Sequence, residues 1–505
     1  MNDMFGMDLC GWTNAAKSCA LGLMKCMGCL FLAVSMVVAA EKPNVVFIMA
    51  DDLGYGDLGP YGAKHFETPA SDRLASEGMR FTDAHSPSAV CTPSRYSVLT
   101  GRYAWRSWLK NWVLMENHPL LIDPERMTIG DLFQQAGYKS GCVGKWHLGW
   151  GTELGTSLNG EVKPGPLQLG FGEFFGVPYS HNSSKRRQVY MRNMRVEGLK
   201  PGLDYKSEEA MKDTVRDLED TAIEISNEAV AFVDRHKDEP FFLFYPTTNI
   251  HFPLTPHERF KNSGRAGVYG DFVVEFDWAV DQILEALARN GIAGNTMVVL
   301  TSDNGARPHD DLAGHACNGP WRGTKREIYE AGHRIPLIIR WPGKISAGVV
   351  TDEPVCLTDF FKTFATILDQ PVPEDAAEDS YDISSVLHGK PGKKPVRGAM
   401  VHHSVCGQFA LRKGDWKLIE GSGDGDYPIN EQGKIDAKRW QPKRDPKTRE
   451  WVEMDYFDWQ PDDQYQLYNL ANDPGETKNV AEVFPEVVER MASELNTIRE
   501  SGRSD

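Results

Sequence analysis

Apolar residues along this chain gather into short runs that stop on polar or acidic residues. The first, PNVVFIMADDLGYGD, is β-branched and apolar up to Ala50 and stops at Asp51 and Asp52. A run of this length without polar alternation reads as a strand buried on both faces, here delivering two carboxylates at its C-terminal end. NTMVVLTSDNG repeats the pattern, with a strand over Val298–Thr301 followed by Asp303 and Asn304. Phe241–Tyr245 and Leu337–Arg340 predict further core strands. Helical periods lie between them, at about Thr128–Ala136, Glu208–His236 and Phe272–Asn290. Strand and helix alternate, which predicts an α/β fold: a large, mostly parallel sheet flanked by helices, with ligands beyond the carboxyl ends of its strands.

The pattern changes after the helix-like LTDFFKTFATILD. QPVPEDAAEDS and HGKPGKKPVRG are rich in Pro, Gly and charge, and they place a boundary near residue 395 that separates 41–395 from 396–505. In the second part GAMVHHSV, FALRKGDWKLIE and QYQLYNL read as strands and about Glu486–Glu500 as a helix, a smaller domain with an antiparallel sheet and a helix on it. At the other end Lys25, the run CLFLAVSMVVAA and the pair Ala39–Ala40 follow the order of a secretory signal peptide over residues 1–40, with Met24 an alternative start. The run is too short to span a bilayer comfortably. The expectation is an exported protein without a stable membrane span, periplasmic or extracellular, or in a lysosome-like compartment in a eukaryote.

Composition narrows the chemistry. The 505 residues are 41% hydrophobic, enough for a packed core, and carry a formal charge of −16, which argues against a nucleic-acid partner. An anionic substrate would then need a local cluster of cations or a metal. Four of the nine cysteines fall in the leader; Cys91, Cys142, Cys317, Cys356 and Cys406 remain, without zinc-like spacing. An odd number in an exported chain leaves at least one unpaired or chemically altered, and Cys91 is the candidate.

Asp51, Asp52, Asp303 and Asn304 can meet above the sheet. Oxygen donors without thiolate or imidazole favour a hard divalent ion such as calcium or magnesium. Either cluster alone reads as a strand-end turn; two, both directly after buried strands, favour the metal. Cys91 lies just before Pro93, near a helix N-terminus whose N–H groups support negative charge, with Arg95 on the same turn. Ser97 stands where a thiol phosphatase would need its arginine, so an unmodified thiolate fits poorly.

AVCTPSRYSVLTG (Ala89 to Gly101) resembles the first signature of the type I sulfatases, of arylsulfatase type, in which the cysteine of C-x-P-x-R becomes formylglycine; GYKSGCVGKWH (Gly137 to His147) resembles the second. The likeness runs from about Pro43 to Gly343, and more loosely beyond. It implies an alkaline-phosphatase-like fold and hydrolysis of sulfate monoesters by a formylglycine made from Cys91. One hydroxyl of its hydrate attacks sulfur, and deprotonation of the other lets the carbon eject sulfate, an exit that serine or cysteine would lack. It implies a maturation enzyme that generates formylglycine, and one calcium ion held by Asp51, Asp52, Asp303, Asn304 and the modified Cys91. Arg95 and Lys145 would hold sulfate oxygens and stabilise the hydrate, with Lys325 binding sulfate from the opposite side. His147 would pair with the formylglycine hydroxyl, and His251, in NIHFP, would protonate the leaving oxygen. His257 lies close to His251 in sequence, and Ala331 in YEAGHR replaces one of two glycines usual in the family.

The substrate is less sharply written. A sulfated carbohydrate is expected over a simple aryl sulfate, because GVPYSHNSSKRRQVYMRNMR supplies Lys185, Arg186, Arg187, Arg192 and Arg195. A solvated surface loop explains these charges equally well. His309, Asp310, Asp311 and His315 offer sugar contacts or a loop, and Trp105, Trp108 and Trp112 a sugar platform or packing. The rival functions are a phosphoester or phosphonate hydrolase of the same superfamily and a catalytically silent glycan-binding homologue.

Overall fold

The computed structural model describes residues 42–116, 118–308, 312–427 and 462–505, with the backbone of two short strands at 443–444 and 451–453. The leader over residues 1–40 and the trio His309, Asp310 and Asp311 lie outside the described residues.

β1 (Asn44–Ala50) shows why an unbroken apolar run was needed. Val45, Phe47 and Met49 enter one core, while Val46, Ile48 and Ala50 enter another on the opposite face. Each larger side chain contributes about 1.5–3 kcal/mol by leaving water, so a polar residue on either face would be costly. The sheet built on β1 has ten strands. In chain order the others are β2 (Met79–Phe81), β3 (Lys139–Lys145), β4 (Glu173–Val177), β5 (Met191–Arg192), β6 (Arg195–Val196), β7 (Phe241–Pro246), β8 (Thr296–Ser302), β9 (Leu337–Arg340) and β10 (Val349–Thr351). They lie side by side as β10-β2-β9-β8-β1-β7-β3-β4-β5-β6. The centre, β8-β1-β7-β3-β4, is parallel, whereas β9 runs antiparallel to β8 and β2.

Helices cover both faces. α2 (Cys91–Thr100), α3 (Ile129–Gln135) and α6 (Phe360–Leu368) lie on the Phe47 side; α1 (Pro69–Glu77), α4 (Thr221–His236) and α5 (Gly267–Arg289) lie on the Ile48 side. α3 starts where its sequence says: Thr128 accepts from Asp131 N at 3.2 Å, and Asp131 accepts from Thr128 N at 2.9 Å, a reciprocal cap. The helix expected over Glu208–His236 is interrupted, because a short helix ends at Thr214 and α4 begins at Thr221. Between them Arg216 N donates to Gln188 O at 2.8 Å, and its buried guanidinium donates to His181 O at 2.9 Å and Thr221 Oγ1 at 2.6 Å. These long-range bonds outweigh local helix propensity.

The second sheet is β11 (Met400–His403), β12 (Phe409–Lys413), β13 (Trp416–Glu420) and β14 (Tyr465–Asn469), antiparallel throughout. α7 (Pro485–Glu500) lays Val487, Met491, Leu495 and Ile498 on Val401, Leu411, Leu418 and Leu467. Residues Lys42–Asp505 form one compact unit. Lys417 of β13 joins the second sheet to the turn before β9: its buried ammonium lies 3.2 Å from Glu330 and 2.8 Å from Glu476, both carboxylates being shut off from solvent. All five described cysteines are buried and free. No described helix is long and apolar enough to cross a membrane.

Two close approaches set the end of β3. Gly144 has φ +137°, and a Cβ there would sit 1.8 Å from Pro246 O; a Cβ on Gly176, its partner on β4, would sit 1.8 Å from Gly144 O. Gly144→Ala is therefore expected to cost about 3 kcal/mol. Gly291→Ala, with φ +70° but open space around it, should cost only about 1 kcal/mol. Urea denaturation of both variants measures this, and equal tolerance would contradict the close approach. Lys417→Met should destabilise by about 3–5 kcal/mol on the same measurement, since buried Glu476 loses its cation and Glu330 keeps only Arg334.

Candidate active site

The parallel strands end together. Ala50 and Ser302 pair in register, so Asp51 and Asp52 after β1 stand beside Asp303 and Asn304 after β8. Asp52 N donates to Asp303 Oδ1 at 3.1 Å, and Asn304 Nδ2 donates to Asp52 Oδ1 at 2.9 Å. All four are buried.

Three cations meet the three carboxylates. Lys145, the last residue of β3, donates to both oxygens of Asp51 at 2.9 and 2.7 Å. Arg95 on α2 donates from Nε and Nη2 to Asp303 Oδ2 at 3.0 and 2.7 Å, and from Nη1 to Lys145 O at 2.9 Å. Lys325 lies 2.6 Å from Asp52. Burial alone would raise the Asp52 carboxyl, but Lys325, His251 and Lys145 hold it well below the usual carboxylate range. Burial pushes the Asp303 carboxyl up, against the pull of Arg95.

Cys91 opens α2 with its Sγ 3.3 Å from His147 Nδ1. The other ring nitrogen, Nε2, lies 3.0 Å from Leu114 O, which can only accept. The neutral ring therefore carries its proton on Nε2 and turns a lone pair toward residue 91. Burial, then Lys145 and Arg95, keep His147 well below the ordinary histidine range. The Cys91 thiol is itself raised by burial despite Lys145 and Lys325. His251 is fixed by the same logic: Nδ1 lies 2.6 Å from Phe252 O, leaving Nε2 to face Ser180 Oγ at 3.5 Å and Asp52 at 3.8 Å. Burial, then Lys325, push His251 down to about 3.

These groups border a cavity of about 910 Å³ lined by Asp52, Cys91, His147, His251 and Lys325, with walls from Val113–Glu116, Tyr179, Ser180, Asn182, Ser183, Arg187, Phe252, Arg307 and Tyr427. His251 belongs to it and His257 does not: His257 caps Arg259 N and faces Asp220 at 3.5 Å. The three tryptophans are packing residues. Trp105 meets Phe409 edge-on, Trp108 packs on the main core and Trp112 is buried with Val90. His315 is no cavity residue either, because its Nε2 is bound to buried Asp57 at 2.8 Å. Ala331 leaves the tight turn intact, since the close approaches fall at Gly305 and Gly332. Ser180, Asn182 and the Val113–Glu116 wall carry no signal in sequence; they are ordinary loop residues given meaning by the fold.

The strand-end set suits a hard cation. Asp51, Asp52 and Asp303 supply carboxylate oxygens, and Asn304 Oδ1 is buried without a hydrogen-bond partner among the described residues. Such an acceptor is costly unless something positive meets it. Carboxylates of Asp51 and Asp303 lie within 4.8 Å of the Cys91 sulfur, so an ion there would reach residue 91.

The described fold and site have close counterparts. The sulfatase family model matches residues 43–370. The N-acetylgalactosamine-6-O-sulfatase of Bacteroides thetaiotaomicron is 34% identical, over 91% of this chain and 94% of its own. Human arylsulfatase A is 33% identical, over 92% and 88% respectively. A solved structure from work on glycosaminoglycan metabolism by Bacteroides thetaiotaomicron superposes with a TM-score of 0.80 at 34% identity, covering 91% of this chain and 100% of that one. A sulfatase from a Pseudoalteromonas species gives a TM-score of 0.70 at 25% identity, covering 92% of each chain. With strand-end carboxylates, the residue 91 helix and the paired cations all in one place, this chain belongs to the sulfatase family, the hydrolases of sulfuric esters.

Proposed function

We propose that the protein removes sulfate from a sulfated sugar, using formylglycine made from Cys91 by a maturation enzyme and one calcium ion held by Asp51, Asp52, Asp303, Asn304 and residue 91. The observation that carries this reading is the position of Cys91: at the first turn of α2, facing a lone pair of His147, beside a buried set of carboxylates and cations. Sugar is favoured by the name of the Bacteroides relative, an N-acetylgalactosamine-6-O-sulfatase. Export through the leader at residues 1–40 belongs to the same proposal and rests on its sequence pattern.

Formylglycine would supply an oxygen nucleophile and, through its second hydroxyl, a means of releasing sulfate; calcium would withdraw charge from the oxygens that react. The remaining work falls to the chain. Lys145 and Lys325 bring ammonium groups to Asp51 and Asp52, and Arg95 fixes Asp303 and the Lys145 backbone, so sulfate charge would be met by groups that need not reorganise. His147 Nδ1 is placed to take a proton from residue 91, while Leu114 O anchors the far side of the ring. His251 has Nδ1 tied to Phe252 O and presents Nε2 to the cavity, where the doubly protonated ring would give its Nε2 proton to a leaving oxygen. Its buried ring disfavours the charged form, and the negative charge of an arriving sulfate ester opposes that shift.

A mass spectrum of the tryptic peptide Phe81–Arg95, from protein made in its native host, should find aldehyde at residue 91; an intact thiol in a host that matures other sulfatases would sink the nucleophile assignment. Cys91→Ala should lower turnover of 4-nitrophenyl sulfate by roughly four orders of magnitude or more. The wild type should prefer that ester over 4-nitrophenyl phosphate, and the reverse preference would make it a phosphoester hydrolase. Calcium should raise the melting temperature, with about 2.7 kcal/mol gained at a hundredfold excess over Kd. Exhaustive chelation should lower both melting temperature and turnover, and no change in either would remove the ion from the reading.

A further inference from the structure

We propose that the cavity holding Cys91 contains a second anion subsite, centred on Arg187, which receives a sulfate or carboxylate of the substrate other than the ester being cleaved. The proposal rests on the sulfatase reading above and specifies its substrate as a sugar with more than one negative charge.

The basic stretch from Lys185 to Arg195 divides sharply in the structure. Arg192 is paired with Glu197 at 3.1 Å and Glu228 at 3.2 Å, and Arg195 with Glu161 at 3.4 Å. Lys185 and Arg186 are exposed and outside the cavity lining. Arg187 alone of the five turns into the cavity. Its side chain is only 13% exposed, with Nε 3.6 Å from Glu116 and the guanidinium 5.6 Å from the centre of the Tyr179 ring. Glu116 is itself held by Ser184, whose N and Oγ both donate to it. Carboxylate and ring therefore fix where the guanidinium sits, yet use little of its donor capacity.

What is left over points to a ligand. Arg187 Nη1 is buried and has no hydrogen-bond partner among the described residues. A guanidinium presents five N–H donors in a planar fork that matches two oxygens of a carboxylate or sulfate. Two other cations of the cavity are already committed, Lys325 to Asp52 at 2.6 Å and Arg326 to Asp426 at 2.7 Å. Exposed Arg307 adds positive charge to the same lining, and Phe252, 57% exposed, offers an apolar face for a sugar ring beside the charges. A cavity of about 910 Å³ is larger than a sulfated monosaccharide requires, leaving room for a second group.

The second anion has two chemical sources, a further sulfate on the same sugar or the carboxylate of a neighbouring uronic acid. The test compares the matured full chain with Arg187→Gln and Arg187→Lys on three probes: N-acetylgalactosamine 6-sulfate, its 4,6-disulfate, and a disaccharide joining a hexuronate to the 6-sulfate. The wild type should favour at least one dianionic probe over the monosulfate. Arg187→Gln should reduce that preference in kcat/KM by about tenfold or more, through KM rather than kcat, and Arg187→Lys should retain part of it. A change in the disulfate alone assigns the subsite to sulfate, and a change in the disaccharide alone to carboxylate. A wild type indifferent to the second anion, or a Gln variant that keeps the full preference, overturns the subsite. Turnover of 4-nitrophenyl sulfate reports separately on the sulfatase reading. If none of the sugars is cleaved, calorimetric binding of the two dianionic probes decides: about tenfold weaker binding to Arg187→Gln supports the subsite, and equal affinity overturns it.

Discussion

Three carboxylates forced together out of water are the constraint on which the rest of this structure depends. The register of β1 against β8 places Asp51 and Asp52 beside Asp303, and none of the three is more than slightly exposed. Like charges at such separation in a medium of low polarity repel strongly, and each also loses its hydration. Arg95, Lys145 and Lys325 come from three distant parts of the chain to meet them, from α2, the end of β3 and the loop after β8. Removing one cation exposes the fold to an uncompensated buried charge. The site is thus also a clamp, and its chemistry and its stability are hard to separate by substitution.

That coupling accounts for the backbone at the end of β3. Lys145 reaches Asp51 only because β3 lies next to β7 with no side chain between Gly144 and Pro246. Two residues further on, His147 adopts φ +55°, an uncommon value for a side chain of its size, and thereby turns its ring toward Cys91. The strain is offset by Leu114 O on the far side of the ring and by Thr92 Oγ1, which donates to His147 O at 3.2 Å.

The central strands were legible in sequence because burial on both faces leaves an unbroken apolar run that nothing else in the chain imitates. The polar residues that end those runs were legible as a site for the same reason. Other features depend on partners far along the chain. The interruption before Thr221 is imposed by His181 and Gln188, neither of which is visible in a helical period. The direction of a side chain was equally hidden: His315 has the right type for a sugar contact, but Asp57 offers a stronger partner inside the protein. Trp105, Trp108 and Trp112 pack against three separate apolar clusters, because large apolar area gains more by burial than at a cavity rim.

The two layers of the cavity answer to different physical demands. Its floor is made at the ends of strands, where register leaves no freedom and every charge has a counter-charge. Its walls come from loops around Glu116, Ser180, Phe252 and Arg307, where a changed side chain leaves the ion pairs of the floor untouched. A family can therefore keep one reaction while its members act on different sulfate esters, and the relatives named for a sugar, an aryl or a steryl sulfate accord with that. Arg187 stands between the layers. It is held firmly enough to be a feature of the structure, yet it takes no part in the charge balance of the floor, as expected of a residue that selects a substrate without performing the reaction.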